Sequence, residues 1–436
     1  MQELQIPSNI GNRMLADYPQ YIRAVAEVRR TAAQANETLG SLTPQQCATI
    51  GLAADRLCEE TQSLFAQQGF YRAGSASPLM RITQTMSALA GCPASHLTLN
   101  QSITDVTATV AEIVMYDGLS RVIAACGCMI ETLRQKAETY ADVVKCARVS
   151  LQDATAVLVG DELEAYAQRI DEAAGSLRWQ LGKWSVSHLG SGDVGTGFMI
   201  APRFAELATE RLSQRLGRTL TRPRLPLAEL NQDGKFLAAH HALVELAFAI
   251  WRLARDLEFL ASGPRGGIRE WTLPAIAPGS SIMPGKINST AAQLACATSD
   301  QIMADGQALM AALQRSWGVS GSQSLLPVKI LMQDTELLAR TCLVFNEKVL
   351  RGMTCNADKC LAQAQRSLAP ALLLTKVAGV AAVESAVEYA LQNDVTVKDA
   401  AVSLKLVTAQ EADMLFDSAK LASVKGNAEI MRLLSD

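Results

Sequence analysis

The sequence predicts a mainly all-α protein built on a central bundle of long helices. Three observations carry that expectation. Apolar residues recur at helical spacing through most of the chain, as in Val110, Ile113, Val114, Leu119, Val122, Ile123 and Ile130. The breaks between such patterns are short and marked by Gly, Pro and small polar residues. Strand-like alternation is scarce, and Ala and Leu dominate a chain with only 5 % aromatic residues.

In chain order, the residues up to about Asn12 look irregular. A helical pattern runs from Tyr18 to Leu39-Gly40. A second opens at Thr43-Pro44, an N-cap followed by Pro at the first helical position. A polar loop, Arg72 to Pro78, leads into a short helix, Leu79–Ala90. The stretch Asn100-Gln101-Ser102-Ile103-Thr104-Asp105 reads as a loop before a long helix that extends to about Val144. A break at Ala147–Asp153 precedes another long pattern, Glu162–Lys183, and a glycine-rich turn, Gly190–Gly197. Further helices are expected at Phe204–Leu216, Phe236–Leu260, Thr290–Trp317 and Val328–Arg351. Shorter ones follow, broken at Pro370, Gly379 and Asn393-Asp394. Three domains are expected: residues 1–102, a central five-helix bundle over 103–354, and a small helical domain over 355–436.

Composition narrows the function. Over 436 residues the net charge is −3, which offers no basic field for nucleic acid or an anionic membrane surface. No uncharged apolar run reaches the ~18 residues of a membrane span. The N-terminus lacks the basic and apolar regions of a secretory signal. Ten cysteines occur without a C-x-x-C pair, and most lie within apolar helical patterns. They read as small buried hydrophobes in a reducing compartment, and a cytoplasmic location is expected. No His, Cys or carboxylate cluster has metal-ligand spacing, so neither a metal nor another cofactor is expected. His240-His241 reads as a surface or packing feature of its helix. His188, just before the glycine-rich turn, is a candidate neighbour of the site.

The chemistry concentrates in one loop, Gly279-Ser280-Ser281-Ile282-Met283-Pro284-Gly285-Lys286-Ile287-Asn288. It offers two hydroxyls, an ammonium and a carboxamide to an anionic ligand. It resembles the G-S-S-x-M-P-x-K-x-N signature of the fumarase/aspartase superfamily, and the resemblance runs from about Tyr18 to the C-terminus. Three further stretches share it. Asn100–Asp105 is similar to S-Q-S-[ST]-N-D at Gln101, Ser102 and Asp105. Ala147–Ala154 is similar to G-R-T-H-L-Q-D-A at Arg148, Leu151, Gln152, Asp153 and Ala154. Val194–Gly197 is similar to V-G-T-G.

The resemblance implies a three-domain fold whose central helices form the core of a homotetramer, with each active site shared by three subunits. It implies elimination of a group from the carbon next to a carboxylate. Ser280 would be the base, its alkoxide stabilised by Lys286, backbone N–H groups and exclusion of water as a mobile loop closes. Lys286 and Asn288 would hold the substrate carboxylate. Ser75, Ser102 and Ser281 would face the group that takes up the carbanion charge.

Four positions depart from the pattern. Thr104, Val149 and Ser150 replace the polar residues that contact the amino group in aspartases, and Ile103 replaces a hydroxyl beside the second carboxylate. An apolar neighbour leaves a carboxylate partly unpaired, so plain aspartate or fumarate is a poor fit. The expected substrate is a small carboxylate with a bulkier leaving amine and a non-carboxylate electron sink; a betaine such as ergothioneine, losing trimethylamine, has this form. Two classes stay open: an amine lyase of this kind (or a true aspartate ammonia-lyase or fumarase), and a non-catalytic relative like the lens crystallins of the superfamily.

Overall fold

A computed structural model describes residues 18–60, 78–276, 282–315 and 325–434. The elements are α1 (Pro19–Thr38), α2 (Pro44–Glu59), α3 (Pro78–Ala90), α4 (Ala94–Thr98) and α5 (Ile103–Thr139). A hairpin, β1 (Val144–Val149) and β2 (Gln152–Leu158), leads into α6 (Val159–Leu181), α7 (Phe204–Leu216), α8 (Pro226–Glu229) and α9 (Asp233–Leu260). After β3 (Trp271–Thr272) come α10 (Thr290–Leu313), α11 (Leu326–Phe345), β4 (Thr354–Cys355) and α12 (Ala357–Arg366). Short helices fill the chain from Leu374 to Leu433. The protein is mainly α-helical, as expected.

Two compact units emerge. One draws on the described residues within Met1–Ala124, Ala173–Ala247 and Thr298–Arg340, the other on those within Ala125–Glu172, Phe248–Ala297 and Thr341–Asp436. The five long helices α5, α6, α9, α10 and α11 each contribute residues to both.

In the first unit, small residues set how closely helices approach. A Cβ on Gly118 of α5 would lie 2.6 Å from Thr335 Oγ1 of α11, and one on Gly306 of α10 would lie 2.7 Å from the His240 ring on α9. His240 is buried and lies 3.0 Å from the Ile302 carbonyl through Nε2, a packing role. At the N-terminal end, α2 opens on a capping box in which Thr43 and Gln46 satisfy each other's backbone N–H. α5 and α9 are long and apolar enough to cross a membrane by length and composition, but half or more of each apolar window (56 % and 50 %) is buried inside the protein, as in a core helix.

In the second unit the expected break at Ala147–Asp153 is instead the antiparallel hairpin β1–β2. Val144 and Cys146 face a core shared with the C-terminal helices, while Lys145 and Arg148 interrupt the apolar alternation that would mark a strand. Those two cations are drawn in by Glu270, which is fully buried. Arg148 Nη1 lies 2.5 Å from Glu270 Oε1, and Lys145 Nζ lies 2.8 Å from Glu270 Oε2 and 2.7 Å from Glu162 Oε2. Burial works against the charge on Lys145, yet Glu162 and Glu270 outweigh it and hold its pKa above the ordinary value.

The hairpin thus meets the start of the strand before the signature loop at one carboxylate, and α6 joins them through Lys145. Removing it as Glu270→Ala leaves a lysine only 2 % exposed with half its compensation. Its unfolding free energy, read by denaturant titration, is expected to fall by about 3–5 kcal/mol; a loss under ~1 kcal/mol would show the cluster to be incidental.

Candidate functional site

The first segment is built from α1 outward. Arg29 is buried and donates to Gln101 Oε1 at 2.9 Å and to Thr83 Oγ1 at 3.1 Å. Asn100 holds a left-handed φ of 59°, donating to Asn36 Oδ1 and accepting from the Ala201 N–H. α5 then starts with a reciprocal cap: Ser102 Oγ accepts from the Asp105 N–H, and Asp105 Oδ1 accepts from the Ser102 N–H, both at 3.0 Å. The Ser102 hydroxyl is therefore a helix cap with one O–H left to donate. Ile103 and Thr104 occupy the first turn, Ile103 with 48 % of its surface exposed.

Asp105 does more than cap. Its Oδ2 accepts from the N–H groups of Gly190 and Gly192, both at 3.1 Å, and fastens the glycine-rich turn to the start of α5. Burial pushes its carboxyl up to about 7, against the pull of those N–H groups and of Arg29. Gly190 has a φ of 81°, and a Cβ there would meet the Ala205 Cβ at 2.6 Å, so only glycine fits. The turn carries Asp193, whose Oδ1 lies 3.4 Å from Thr104 Oγ1. His188 lies on the buried side, with Nε2 3.4 Å from Glu112 Oε1, and among the described residues it joins none of the predicted site residues.

The second segment forms the tip of β1–β2. Val149 pairs with Gln152, leaving a two-residue connection of Ser150 and Leu151 with φ of 52° and 64°. Two positive φ values define a type I′ turn, whose hand matches the strand twist. Val149 and Leu151 are each 69 % exposed, and Ser150 is exposed beside them.

The third segment follows a tight loop, Ser262–Gly267. Ser262 Oγ accepts from the Ile268 N–H, and a Cβ on Gly267 would meet Ser262 backbone at 2.4 Å. Beyond it, Asn356 donates to the Arg269 carbonyl at 2.9 Å and to Thr272 Oγ1 at 3.0 Å, fixing the strand that leads to the signature loop. At the far end Ser289 and Gln293 donate to Glu258 on α9. Between these anchors lies a cleft of about 450 Å³ lined by Lys286, Asn288, Arg269, Trp271, Thr272 and Glu258. Lys286 is exposed.

Lys286 and Asn288 therefore share a cleft. Ser102, Ile103, Thr104, Val149 and Ser150 do not line it. Ser75, Ser280 and Ser281 lie outside the described residues. Sequence reasoning missed Arg269, Glu258 and Glu270. Glu270 and Arg269 were signalled only by charge within three residues of a glycine-rich loop; Glu258 had no signal beyond its place on an amphipathic helix.

Comparison with known proteins points to one family for the chain as a whole. A sequence model of the lyase family matches residues 7–304. A class II fumarate hydratase of Nitrosomonas europaea is 30 % identical over 92 % of this chain and 90 % of its own. An aspartate ammonia-lyase of Helicobacter pylori is 26 % identical over 97 % and 94 %. Among solved structures, a fumarate lyase:delta crystallin from Brucella melitensis, bound to cobalt, matches with a TM-score of 0.84 at 26 % identity, covering 97 % of this chain and 94 % of that one. A class II fumarase from Schistosoma mansoni shares the fold at a TM-score of 0.80 and 23 % identity, over 96 % of both chains. With more than half its length matched by the family and its fold shared with these enzymes, the chain belongs to the lyase family and is an enzyme of the fumarase/aspartase superfamily.

Proposed function

We propose that this lyase eliminates an amine from a small amino-acid-like carboxylate, with Ser280 as the base, and that its substrate is not plain aspartate. The observation that carries the reading is a contrast. The loop bearing Lys286 and Asn288 keeps its anion-binding groups on a cleft of adequate size, while Ile103, Thr104, Val149 and Ser150 present fewer hydrogen-bonding groups than an amino group and a second carboxylate need. A trimethylammonium group has no N–H to donate, so it loses nothing at these positions. Ergothioneine, with its thioimidazole as electron sink, fits all four changes. The same roles place Lys286 and Asn288 on the substrate carboxylate, and Ser75, Ser102 and Ser281 toward the sink.

A homotetramer completes the reading. Ile103 and Val149 stand exposed, and among the described residues neither lines the cleft that holds Lys286. Exposed apolar residues recur along three long helices, with Phe248 and Phe259 on α9, Leu294, Met303 and Met310 on α10, and Leu337, Leu343 and Val344 on α11. Burying these faces against other copies would unite segments from three subunits in each site. No cofactor takes part in this chemistry. The ten free cysteines suit a reducing compartment, in keeping with a cytoplasmic enzyme.

A second reading, addition of water to a fumarate-like acid, is favoured by the 30 % identity to a fumarate hydratase. One assay separates the two. Purified enzyme is expected to release trimethylamine from ergothioneine with rising ultraviolet absorbance of the conjugated product. Conversion of aspartate or malate to fumarate at an ordinary enzymic rate, kcat about 10 s⁻¹, would overturn the proposal. Ser280→Ala is expected to lower turnover by roughly 10²–10⁴-fold while eluting as the same tetramer on size exclusion; retained activity would place the base elsewhere.

A further inference from the structure

We infer that Asp193 is a specificity-determining residue that recognises the positive charge of the leaving amine. This rests on the reading above, in which Thr104 faces that amine. The argument begins with position. Asp193 is carried on a turn whose backbone N–H groups at Gly190 and Gly192 are held by the buried Asp105, and Asp105 also caps the helix that presents Thr104. One carboxylate thus fixes the spacing between Thr104 and Asp193, whose side chains meet at 3.4 Å. The second point is charge. Asp193 is exposed, and no Lys or Arg pairs with it among the described residues. Thr104 supplies a methyl group and a single hydroxyl. Together they offer an apolar contact backed by an unneutralised anion, which suits a quaternary or bulky ammonium that cannot donate N–H bonds but keeps its charge. A neutral leaving group such as water gains nothing from that anion.

The test compares two probes of equal shape by equilibrium binding: a betaine carrying a trimethylammonium group and its isostere carrying a tert-butyl group. Wild type is expected to prefer the charged probe by about tenfold or more, as a carboxylate at contact distance requires. D193N is expected to bring the two affinities together, and D193E to restore part of the preference. Equal affinities in wild type, or a preference that survives D193N, overturn the inference. If the preference behaves as expected but no betaine is turned over, the proposed reaction fails and the cation subsite stands.

A different observation carries a second inference: the structure assigns Cys355 and Cys360 as a redox-active dithiol. Their sulfurs lie 3.7 Å apart, Cys355 partly exposed on β4 and Cys360 buried on α12. Cys355 pairs with Trp271 across β3–β4, and the residue between the start of α12 and Cys355 is Asn356, the clamp on Arg269 and Thr272. The hydrogen bond from Cys360, with Lys145 nearby, favours the Cys355 thiolate despite burial. With hydrogen peroxide as oxidant, that thiolate attacks the O–O bond to give a sulfenic acid and hydroxide. The Cys360 thiol then displaces the sulfenic oxygen; two thiols and one peroxide become one disulfide and two waters. The sulfurs must close from 3.7 Å to the ~2.05 Å of a disulfide, a movement that reaches the cleft through Asn356.

Trypsin cuts after Lys359, between the two cysteines, so the disulfide is read by mass spectrometry as peptides 352–359 and 360–366 joined without reductant. The joined pair is expected to appear with peroxide, vanish with dithiothreitol, and be absent in both C355S and C360S. Separate peptides after oxidation, or either cysteine joined mainly to a different one, overturn the assignment. C355S guards against misfolding, since it alters the more exposed partner.

Discussion

A buried carboxylate between two cations organises the half of this lyase that bears the signature loop. Glu270 is inaccessible to water, and so is nearly all of Lys145. Neither charge is tolerable alone at that depth, so each requires the other in place. The consequence is geometric. Lys145 and Arg148 lie on β1, Glu162 on α6, and Glu270 immediately before β3. Satisfying one carboxylate therefore sets the hairpin that displays Val149 and Ser150 relative to the strand that enters the cleft. Asn356 extends the same logic by bonding the Arg269 carbonyl on the other side of Glu270.

The first segment follows a parallel rule with different chemistry. Asp105 is bonded by backbone N–H groups with Arg29 nearby rather than held in a tight ion pair, and burial still raises its carboxyl. Backbone donors have fixed directions, so this carboxylate dictates the path of the glycine turn as well as the start of α5. The two arrangements belong to different compact units, and each displays its own candidate residues.

Much of the fold was legible because its signals are local. Thr43-Pro44 announced a capped start, and Phe204–Leu216 was bounded by a glycine with φ of 64° that stops the helix. The β1–β2 hairpin was not legible. Its Lys145 is buried and its Arg148 partly buried because Glu270, more than a hundred residues later, neutralises them, and no local pattern encodes that. The candidate site divides in the same way. Ser102, Lys286 and Asn288 were recognisable from contiguous motifs. Arg269, Glu258 and Asp193 acquire meaning only once the chain folds them against those motifs.

The hairpin tip has a consequence of its own. Ser150 and Leu151 both hold left-handed backbone, a conformation that Asn and Gly adopt with least cost and β-branched residues resist. Ser150 is also one of the positions where this chain departs from its relatives' pattern. Chemical divergence at that turn is thus filtered by backbone geometry before any ligand is met. Small and flexible side chains pass the filter, so new specificity is reached more readily by opening space at this position than by filling it.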